Sequence, residues 1–164
     1  VSKEGHRKML FYQDILGEKI AEYFVFCFVR NPYDRLHSSY KFLEVGGMNI
    51  HDRNAFATHL SFYKDFEDFV LRGLNPGILN KITHFIPQTD FICNKDGKIL
   101  VNFVGRYEDL LSDVKELSDN LGQEITLPFL NINNHKESYE EVYSKEMKGI
   151  VKEVYKNDFN ILNY

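Results

Sequence analysis

The chain has 164 residues and a formal net charge of −4, and 43% of its residues are hydrophobic. An acidic chain is a poor candidate for general nucleic-acid binding, and an aromatic content of 15% is unlike that of a disordered protein. No apolar run approaches the roughly 20 residues that a membrane span needs, so this chain encodes no membrane association. We therefore expect a single domain over residues 1–164 that buries a core of its own.

The first part of the chain predicts a helix, a strand and a second helix in close succession. Apolar positions at helical spacing predict a helix over 9–20. The run 23–29 is continuously apolar and rich in aromatic residues, which is typical of a strand buried on both faces of a parallel sheet. Arg30 ends this strand. Asn31 is a good N-cap for a helix over 32–43, whose first residue is a proline.

The middle of the chain predicts fewer regular elements. Residues 48–60 are polar and irregular, and we interpret them as a loop. Apolar residues over 62–70 recur at helical spacing and predict a helix. Segments 90–94 and 98–104 are typical of two strands, and the sequence Asn-Lys-Asp-Gly at 94–97 indicates a hairpin turn between them.

Two further helices are predicted in the last third, over 110–121 and 142–154. Gly122 directly follows the first of them and suits the position after a helix end. Alternating strands and helices favour an α/β fold with a parallel sheet flanked by helices. The two cysteines, Cys27 and Cys93, lie in apolar surroundings. We expect buried free thiols, and a disulfide between them stays open.

One predicted ligand site lies where the strand over 23–29 gives way to a helix. Ligands bind at the carboxyl ends of strands in open α/β sheets, and helix N-termini favour phosphate. Arg30 adds a permanent charge and a fork of donors that matches phosphate oxygens. Ser38 lies one to two turns into the helix, within reach of a bulky phosphate. From the residues alone, an alternative is that Arg30 pairs with Asp34 and that Ser38 bonds to a backbone carbonyl.

The sequence FCFVRNPYDRLHSSY at 26–40 resembles the 3′-phosphate-binding motif of the carbohydrate sulfotransferases. This family includes the enzymes that sulfate heparan and chondroitin and their bacterial relatives. Segments 84–88, 104–110 and 155–164 are similar to other segments of the family. In the family, the first Arg and the Ser of the motif hold the 3′-phosphate of the donor, 3′-phosphoadenosine 5′-phosphosulfate (PAPS). The resemblance implies these roles for Arg30 and Ser38.

The resemblance implies a P-loop-NTPase-like parallel sheet and transfer of a sulfuryl group from PAPS to a hydroxyl of a carbohydrate acceptor. The family's N-terminal loop, similar to PKxAGTS, grips the 5′-phosphosulfate through its Lys, and it has no counterpart in this sequence. The predicted sheet also has few strands, so we expect an N-terminally truncated domain. A non-catalytic nucleotide- or glycan-binding module derived from the same fold is the alternative to an enzyme.

Transfer to a hydroxyl needs a base whose pKa lies near neutrality, which histidine supplies. His6 is the predicted base because it precedes the Arg30 strand by one helix, where some members of the family have a functional His. The alternative for His6 is an exposed terminal side chain without a role. His84 is the second candidate, with a structural or substrate-facing role. The spacing of the histidines predicts no metal site.

Two further cations have two interpretations each. Arg106 either binds a phosphate or substrate at the end of its strand or forms an ion pair with Glu108 or Asp109. Lys136 either contacts the phosphate or is a solvated charge. The abundance of Lys, Asn, Ile and Phe is typical of an AT-rich genome and favours a bacterial cytoplasmic protein. A eukaryotic member of the family would lie in the Golgi lumen.

Overall fold

The computed structural model describes residues 6–127 and 138–164 of the chain. Its strands are β1 (Phe26–Val29) and β2 (Phe103–Arg106), and 3₁₀ helices cover Gly17–Glu22 and Thr83–Phe85. The α-helices, in chain order, are α1 (Met9–Leu16), α2 (Pro32–Glu44), α3 (Ile50–His59), α4 (Phe66–Arg72), α5 (Pro76–Leu79), α6 (Thr89–Ile92), α7 (Leu110–Leu121), α8 (Tyr139–Val142), α9 (Lys145–Val154) and α10 (Lys156–Ile161). No helix in the described ranges is both long and apolar enough to cross a bilayer.

The chain divides into two compact units. The first comprises residues 1–31 and 88–136, and the second comprises residues 32–87 and 137–164. The described part of the first unit contains both strands, whereas the described part of the second unit is helical. The prediction that residues 1–164 form a single domain is not decided by this division and stays a prediction.

The sheet of the first unit consists of β1 and β2, which run parallel. Phe26 pairs with Phe103 at one end and Val29 with Arg106 at the other. The structure therefore confirms a parallel sheet with helices in the same chain. Burial of the strand on both faces is wrong, because Val29 is 3% exposed but Phe26 is 45% exposed. In this unit β1 has β2 along one edge, so its first residues are less covered than a central strand would be.

Gly105 lets the aromatic rings of the sheet pack closely. It pairs with Phe28 across the two strands. A Cβ on Gly105 would clash with the Phe28 ring and would lie 3.1 Å from the Phe103 ring. These two rings meet edge to face with their centroids 6.4 Å apart. The glycine at this position is therefore needed for the close packing of the sheet.

Helix α7 packs against β2 and buries Val114 and Leu117. It ends at Leu121, and the following Gly122 has a left-handed backbone (φ 62°), as suits the residue after a helix end. The two cysteines of this unit are free, as predicted, with Cys93 buried and Cys27 half-buried. Burial, followed by the neighbouring Cys93 thiol, raises the pKa of Cys27 to about 11. This thiol is therefore protonated and unreactive near neutral pH.

The second unit has an aromatic core. Helix α2, predicted over 32–43, extends to Glu44 and buries Leu36, Tyr40 and Leu43. The ring of Tyr40 stacks on Phe69 at 5.5 Å, and Phe69 stacks on Phe85 at 5.4 Å. Since the apolar positions of α2 follow the helical period and face this core, the sequence pattern was sufficient to predict the helix.

Two predictions for the middle of the chain are wrong. Residues 50–59 form helix α3 instead of a loop. The side chain of Asn49 caps this helix by accepting from the backbone N–H groups of His51 and Asp52. The buried residue of α3 is Asp52, so the helix lacks an apolar stripe. The strand predicted over 90–94 is mostly helix α6, and the hairpin is reduced to one antiparallel bridge between Cys93 and Ile99.

The remaining helices differ from prediction at their ends, where capping side chains act. Asp65 accepts from the N–H of Asp68, so α4 begins at Phe66 and not at residue 62. Ser144 accepts from the N–H of Met147, which begins α9 three residues after the predicted start. Helix α1 ends at Leu16 and continues as a 3₁₀ helix. Apolar spacing predicted these helices, whereas local hydrogen bonds set their boundaries.

We expect Phe69→Ala to lower the free energy of unfolding by about 3–5 kcal/mol, because the ring is fully buried and its removal leaves a cavity. Urea unfolding followed by circular dichroism measures this change. Phe62→Ala, in the same unit, is the matched control, since Phe62 is 64% exposed and its loss should cost less than about 0.5 kcal/mol. Equal effects of the two substitutions would contradict this description of the core.

Candidate functional site

Two arginines lie at one edge of the sheet. Because β1 and β2 are parallel, their carboxyl ends meet at the same edge, with Arg30 directly after β1 and Arg106 opposite Val29. The N–H of Tyr107 donates to the carbonyl of Val29 at 2.7 Å, which extends the pairing past the last strand residue. Both arginines are half-buried. The structure thus brings two of the predicted cations to the edge where ligands bind in sheets of this kind.

The backbone of Arg30 is held by the side chain of Gln88. The N–H of Arg30 donates to Oε1 at 2.8 Å, and Nε2 donates to the carbonyl of Arg30 at 2.8 Å. Gln88 is only 8% exposed. We call these two hydrogen bonds the Gln88 clasp. Arg30 directly follows β1, and the clasp satisfies the two backbone groups that a neighbouring strand would otherwise bond. It thereby fixes the direction in which the chain leaves the sheet.

The sequence did not predict this role for Gln88. Arg30 and Gln88 are 58 residues apart, and glutamine is mostly an exposed residue. The available signal was the resemblance of segment 84–88 to a segment of the sulfotransferases.

The guanidinium of Arg30 stacks on the ring of Tyr107. Its central carbon lies 4.4 Å from the ring centroid, and Tyr107 is 42% exposed. A cation–π contact of this kind holds the face of the guanidinium, whereas its N–H groups point outward in the plane. The ring therefore supports the guanidinium of Arg30 at this edge of the sheet.

Two carboxylates hold backbone N–H groups at the same edge. Glu108 accepts from the N–H of Asn31 at 2.6 Å, and Asp113 accepts from the N–H of Arg106 at 2.6 Å. Both contacts fix the chain where it leaves a strand. The predicted ion pair of Arg106 with Glu108 or Asp109, and its alternative role in phosphate binding, stay predictions.

Ser38 lies in the second unit, on α2, and its side chain is half-buried. Asp34 is on the same helix, so both predicted neighbours of Arg30 belong to the other unit. The pair of Arg30 with Ser38, and the alternative pair with Asp34, therefore stay predictions. The neighbouring Ser39 donates its hydroxyl to the carbonyl of His84 at 3.5 Å, which joins α2 to the 3₁₀ helix over Thr83–Phe85.

His84 forms a hydrogen-bonded pair with Asp52 in the second unit. The Nε2 atom of the ring lies 3.0 Å from Oδ1 of the carboxylate. The other carboxylate oxygen, Oδ2, accepts from the N–H of Met48 and from the side-chain amide of Asn49, each at 2.9 Å. Asp52 is 6% exposed, whereas the His84 side chain is 30% exposed. A buried carboxylate thus orients an imidazole that reaches solvent.

The loop before α3 is shaped around this carboxylate. Gly47 has a positive φ of 57°, and a Cβ there would clash with the Asp52 side chain. Burial by itself raises the pKa of Asp52, but hydrogen bonds from His84 and from the Met48 and Asn49 backbone bring the pKa below its usual value. The carboxylate is therefore ionised at neutral pH.

The Asp52–His84 pair was missed because its members are 32 residues apart and the Asp52 segment was interpreted as a loop. The sequence Gly-Gly-Met-Asn-Ile-His-Asp at 46–52 did contain a signal. Asn followed three residues later by an acidic residue is typical of a helix N-terminus. That pattern would have placed Asp52 in the first turn of a helix.

Two other residues predicted to be functional are His6 and Lys136. His6 is exposed and precedes α1 by three residues. Lys136 lies outside the described residues. Within the described ranges, no group of three or more His, Cys, Asp or Glu side chains is arranged to hold a metal ion.

We expect Gln88→Leu to lower the free energy of unfolding by about 1–3 kcal/mol, because both backbone groups of Arg30 lose their buried partner. Urea unfolding measures the change. Gln123→Leu, at an exposed position of the same unit, is the matched control and should have little effect. An equal free energy of unfolding for Gln88→Leu and the unmodified chain would contradict a stabilising clasp.

Asp52→Asn should weaken the dependence of stability on acid pH. The folded pKa of Asp52 lies below its ordinary value of 3.8, so the stability from its ionised form is complete above about pH 4 and is lost as the pH falls through the folded pKa. Free energies of unfolding measured between pH 2 and pH 6 should therefore fall less steeply below about pH 4 in Asp52→Asn. Parallel curves for the two chains would contradict a lowered pKa.

Comparison with known proteins points to the same family as the motif at 26–40. The model of the sulfotransferase family matches residues 2–164, which include both Arg30 and Ser38. The chain is 31% identical over 108 residues to an uncharacterized protein of Archaeoglobus fulgidus, a region that covers 65% of this chain and 75% of that protein. No solved structure matches the chain. Since the family match extends over nearly every residue of both units, the chain belongs to the sulfotransferase family.

Proposed function

We propose that this protein transfers a sulfuryl group from PAPS to a hydroxyl of a carbohydrate, on a P-loop-NTPase-like parallel sheet. Membership of the sulfotransferase family supports sulfotransfer in general. The observation that carries the more specific proposal is the placement of Arg30 at the carboxyl end of β1, where the Gln88 clasp holds its backbone and Tyr107 orients its side chain. An arginine held at a strand end is suited to bind a phosphate of a nucleotide.

In this proposal Arg30 binds the 3′-phosphate of PAPS, and Ser38 is the second ligand of that phosphate. Helix α2, which carries Ser38, begins at Pro32, two residues after Arg30 along the chain. Arg106, at the end of the neighbouring strand, adds a second positive charge to the same edge. Two cations suit a phosphate group, which carries up to two negative charges near neutral pH.

The reaction couples three changes. A bond forms between the acceptor oxygen and the sulfur, the bond between the sulfur and the 5′-phosphate oxygen breaks, and the acceptor hydroxyl loses its proton. The product 3′-phosphoadenosine 5′-phosphate (PAP) takes the electron pair of the broken bond. Positioning of the partners and neutralisation of the leaving phosphate supply much of the catalysis in such transfers. The candidate proton acceptors are His6, predicted from the sequence, and His84.

A non-catalytic nucleotide- or glycan-binding module is the second candidate function. It is favoured by the lack of any Gly-Lys-Ser or Gly-Lys-Thr sequence in the chain, since a lysine in such a loop binds the terminal phosphate in P-loop proteins. The two functions differ in one measurable property. Both predict binding of PAP, whereas only the enzyme consumes PAPS.

Calorimetric titration with PAP, and with 5′-AMP as the ligand that lacks the 3′-phosphate, tests the nucleotide site. We expect PAP to bind more tightly than 5′-AMP. Arg30→Ala should weaken PAP binding by about 1.5–3 kcal/mol, roughly tenfold to a hundredfold, because a charged hydrogen bond is lost. Ser38→Ala should cost about 1 kcal/mol.

Arg53→Ala is the control for charge, since Arg53 is an exposed arginine on α3. It should leave PAP binding within about 0.5 kcal/mol of the unmodified chain. Equal affinities of the unmodified chain for PAP and 5′-AMP, or an unchanged affinity in Arg30→Ala, would overturn the assignment of Arg30.

A further inference from the structure

Gln88 bonds to the backbone of the residue whose side chain is the proposed phosphate ligand. We infer that Gln88 is a positioning residue of the nucleotide site, which acts through Arg30 and supports discrimination between nucleotides with and without a 3′-phosphate. This inference rests on the proposed function, because it explains how Arg30 is held for that role. All the residues on which it depends belong to the first unit.

The backbone groups of Arg30 point away from β2. The carbonyl of Val29 accepts from the N–H of Tyr107, and the N–H of Asn31 donates to Glu108. A carbonyl and the N–H that follows it belong to one planar trans peptide and point in opposite directions. The N–H and the carbonyl of Arg30 are therefore directed to the other edge of β1, where Gln88 bonds to both of them.

Two successive peptide units are thus hydrogen-bonded on both sides. On the side of β2 the partners are the N–H of Tyr107 at 2.7 Å and the carboxylate of Glu108 at 2.6 Å. On the other side they are Oε1 and Nε2 of Gln88, both at 2.8 Å. Bonds on opposite sides oppose rotation of the peptide planes. Loss of the Gln88 amide would leave the backbone of Arg30 held from the side of β2 alone.

The stack of Arg30 on Tyr107 depends on this backbone direction. The N–H of Tyr107 is bonded to Val29, so the position of its ring is tied to the pairing of the two strands. The central guanidinium carbon lies 4.4 Å from the ring centroid. Rotation of the backbone at Arg30 would move the start of its side chain relative to that ring. The clasp therefore influences the position of the positive charge through the main chain.

Gln88 is itself held in place by the start of α6. Its carbonyl accepts from the N–H of Phe91 at 3.0 Å, one turn further along. Thr89 and Ile92 of this helix are buried, and α6 packs against α1. A residue that positions another must be fixed by contacts of its own. Gln88 meets this requirement because its helix is anchored independently of Arg30.

The burial of a polar amide favours a role in orientation over one in packing. Gln88 is 8% exposed, and transfer of an amide out of water is costly unless its hydrogen bonds are replaced. An apolar side chain of the same size would fill this space without that cost. It could not, however, bond to the N–H and carbonyl of Arg30. The distinctive contribution of a glutamine here is therefore the direction of Arg30.

Calorimetric titration with PAP and with 5′-AMP tests the inference. Gln88→Met is the main variant, because methionine is similar in size but lacks the amide that forms the two hydrogen bonds. We expect PAP binding to weaken about threefold to tenfold, less than in Arg30→Ala, because the guanidinium is retained but less well held. Affinity for 5′-AMP, which lacks the 3′-phosphate, should stay within about twofold.

The Arg30→Ala background separates positioning from stability. The clasp bonds to the backbone, so it is retained in Arg30→Ala, although no guanidinium is left to position. Gln88→Met should therefore weaken PAP binding in the unmodified chain and have no further effect in Arg30→Ala. Its effect on the free energy of unfolding in urea should, in contrast, be the same in both backgrounds.

Gln88→Asn is the second test variant. Asparagine keeps the amide but is one carbon shorter, so it cannot reach both backbone groups, and we expect the same selective loss of PAP affinity. Gln123→Met is the matched control, since Gln123 is an exposed glutamine of the same unit. It should leave both affinities within about twofold of the unmodified chain. Urea unfolding at the temperature of the titration shows that each variant is folded.

The contrary outcomes are distinct from one another. An unchanged PAP affinity in folded Gln88→Met and Gln88→Asn overturns the positioning role. An equal loss of affinity for PAP and 5′-AMP, or a loss that persists in Arg30→Ala, indicates a structural role and also overturns it. These results leave the assignment of Arg30 intact, because Arg30→Ala tests it separately. An unmodified chain that binds PAP no more tightly than 5′-AMP overturns the nucleotide site, and the role of Gln88 with it.

Discussion

The parallel pairing of β1 with β2 is the constraint on which the candidate nucleotide site depends. It brings the carboxyl ends of two strands to one edge and thereby two arginines to the same part of the first unit. Pairing alone would leave Arg30 at a strand end, where the backbone commonly turns in several directions. The Gln88 clasp removes that freedom because it satisfies both the N–H and the carbonyl of this residue. The ring of Tyr107 is one of the contacts that position the guanidinium.

The second unit contains a buried charge, the carboxylate of Asp52. A carboxylate as inaccessible as Asp52 loses its hydration, and this loss favours the protonated form. Three hydrogen bonds to the carboxylate offset that cost. They come from the ring of His84, the backbone N–H of Met48 and the side-chain amide of Asn49. The result is a carboxylate that keeps its charge at neutral pH and has one oxygen directed at His84. The hydrogen bonds therefore keep Asp52 ionised despite its burial.

The sequence was informative where apolar residues or a glycine determine the local structure. The helices over 32–44 and 110–121 and the strand before Arg30 follow from apolar periodicity, and the turn at Gly122 follows from backbone conformation. Prediction failed at helix caps, where a local signal was present but was not used, and where the deciding contact is distant in sequence. Helix α3 buries a charged residue and so lacks an apolar stripe, and the strand over 90–94 was assigned to residues that the structure has as α6. Arg30 was identified through its motif, whereas the residues that hold it were not.

Both polar arrangements draw on one short segment, residues 84–88. His84, at its beginning, pairs with Asp52 in the second unit, and Gln88, at its end, clasps Arg30 in the first unit. Each contact joins residues that are distant in sequence, 32 and 58 positions respectively. The residues between them are apolar, and Phe85 is fully buried in the aromatic core with its carbonyl bonded to the hydroxyl of Tyr155. Within the second unit, a shift of this segment by one residue would remove Phe85 from the aromatic core and would break the contact of His84 with Asp52. Packing of Phe85 thereby sets the position of His84 against Asp52.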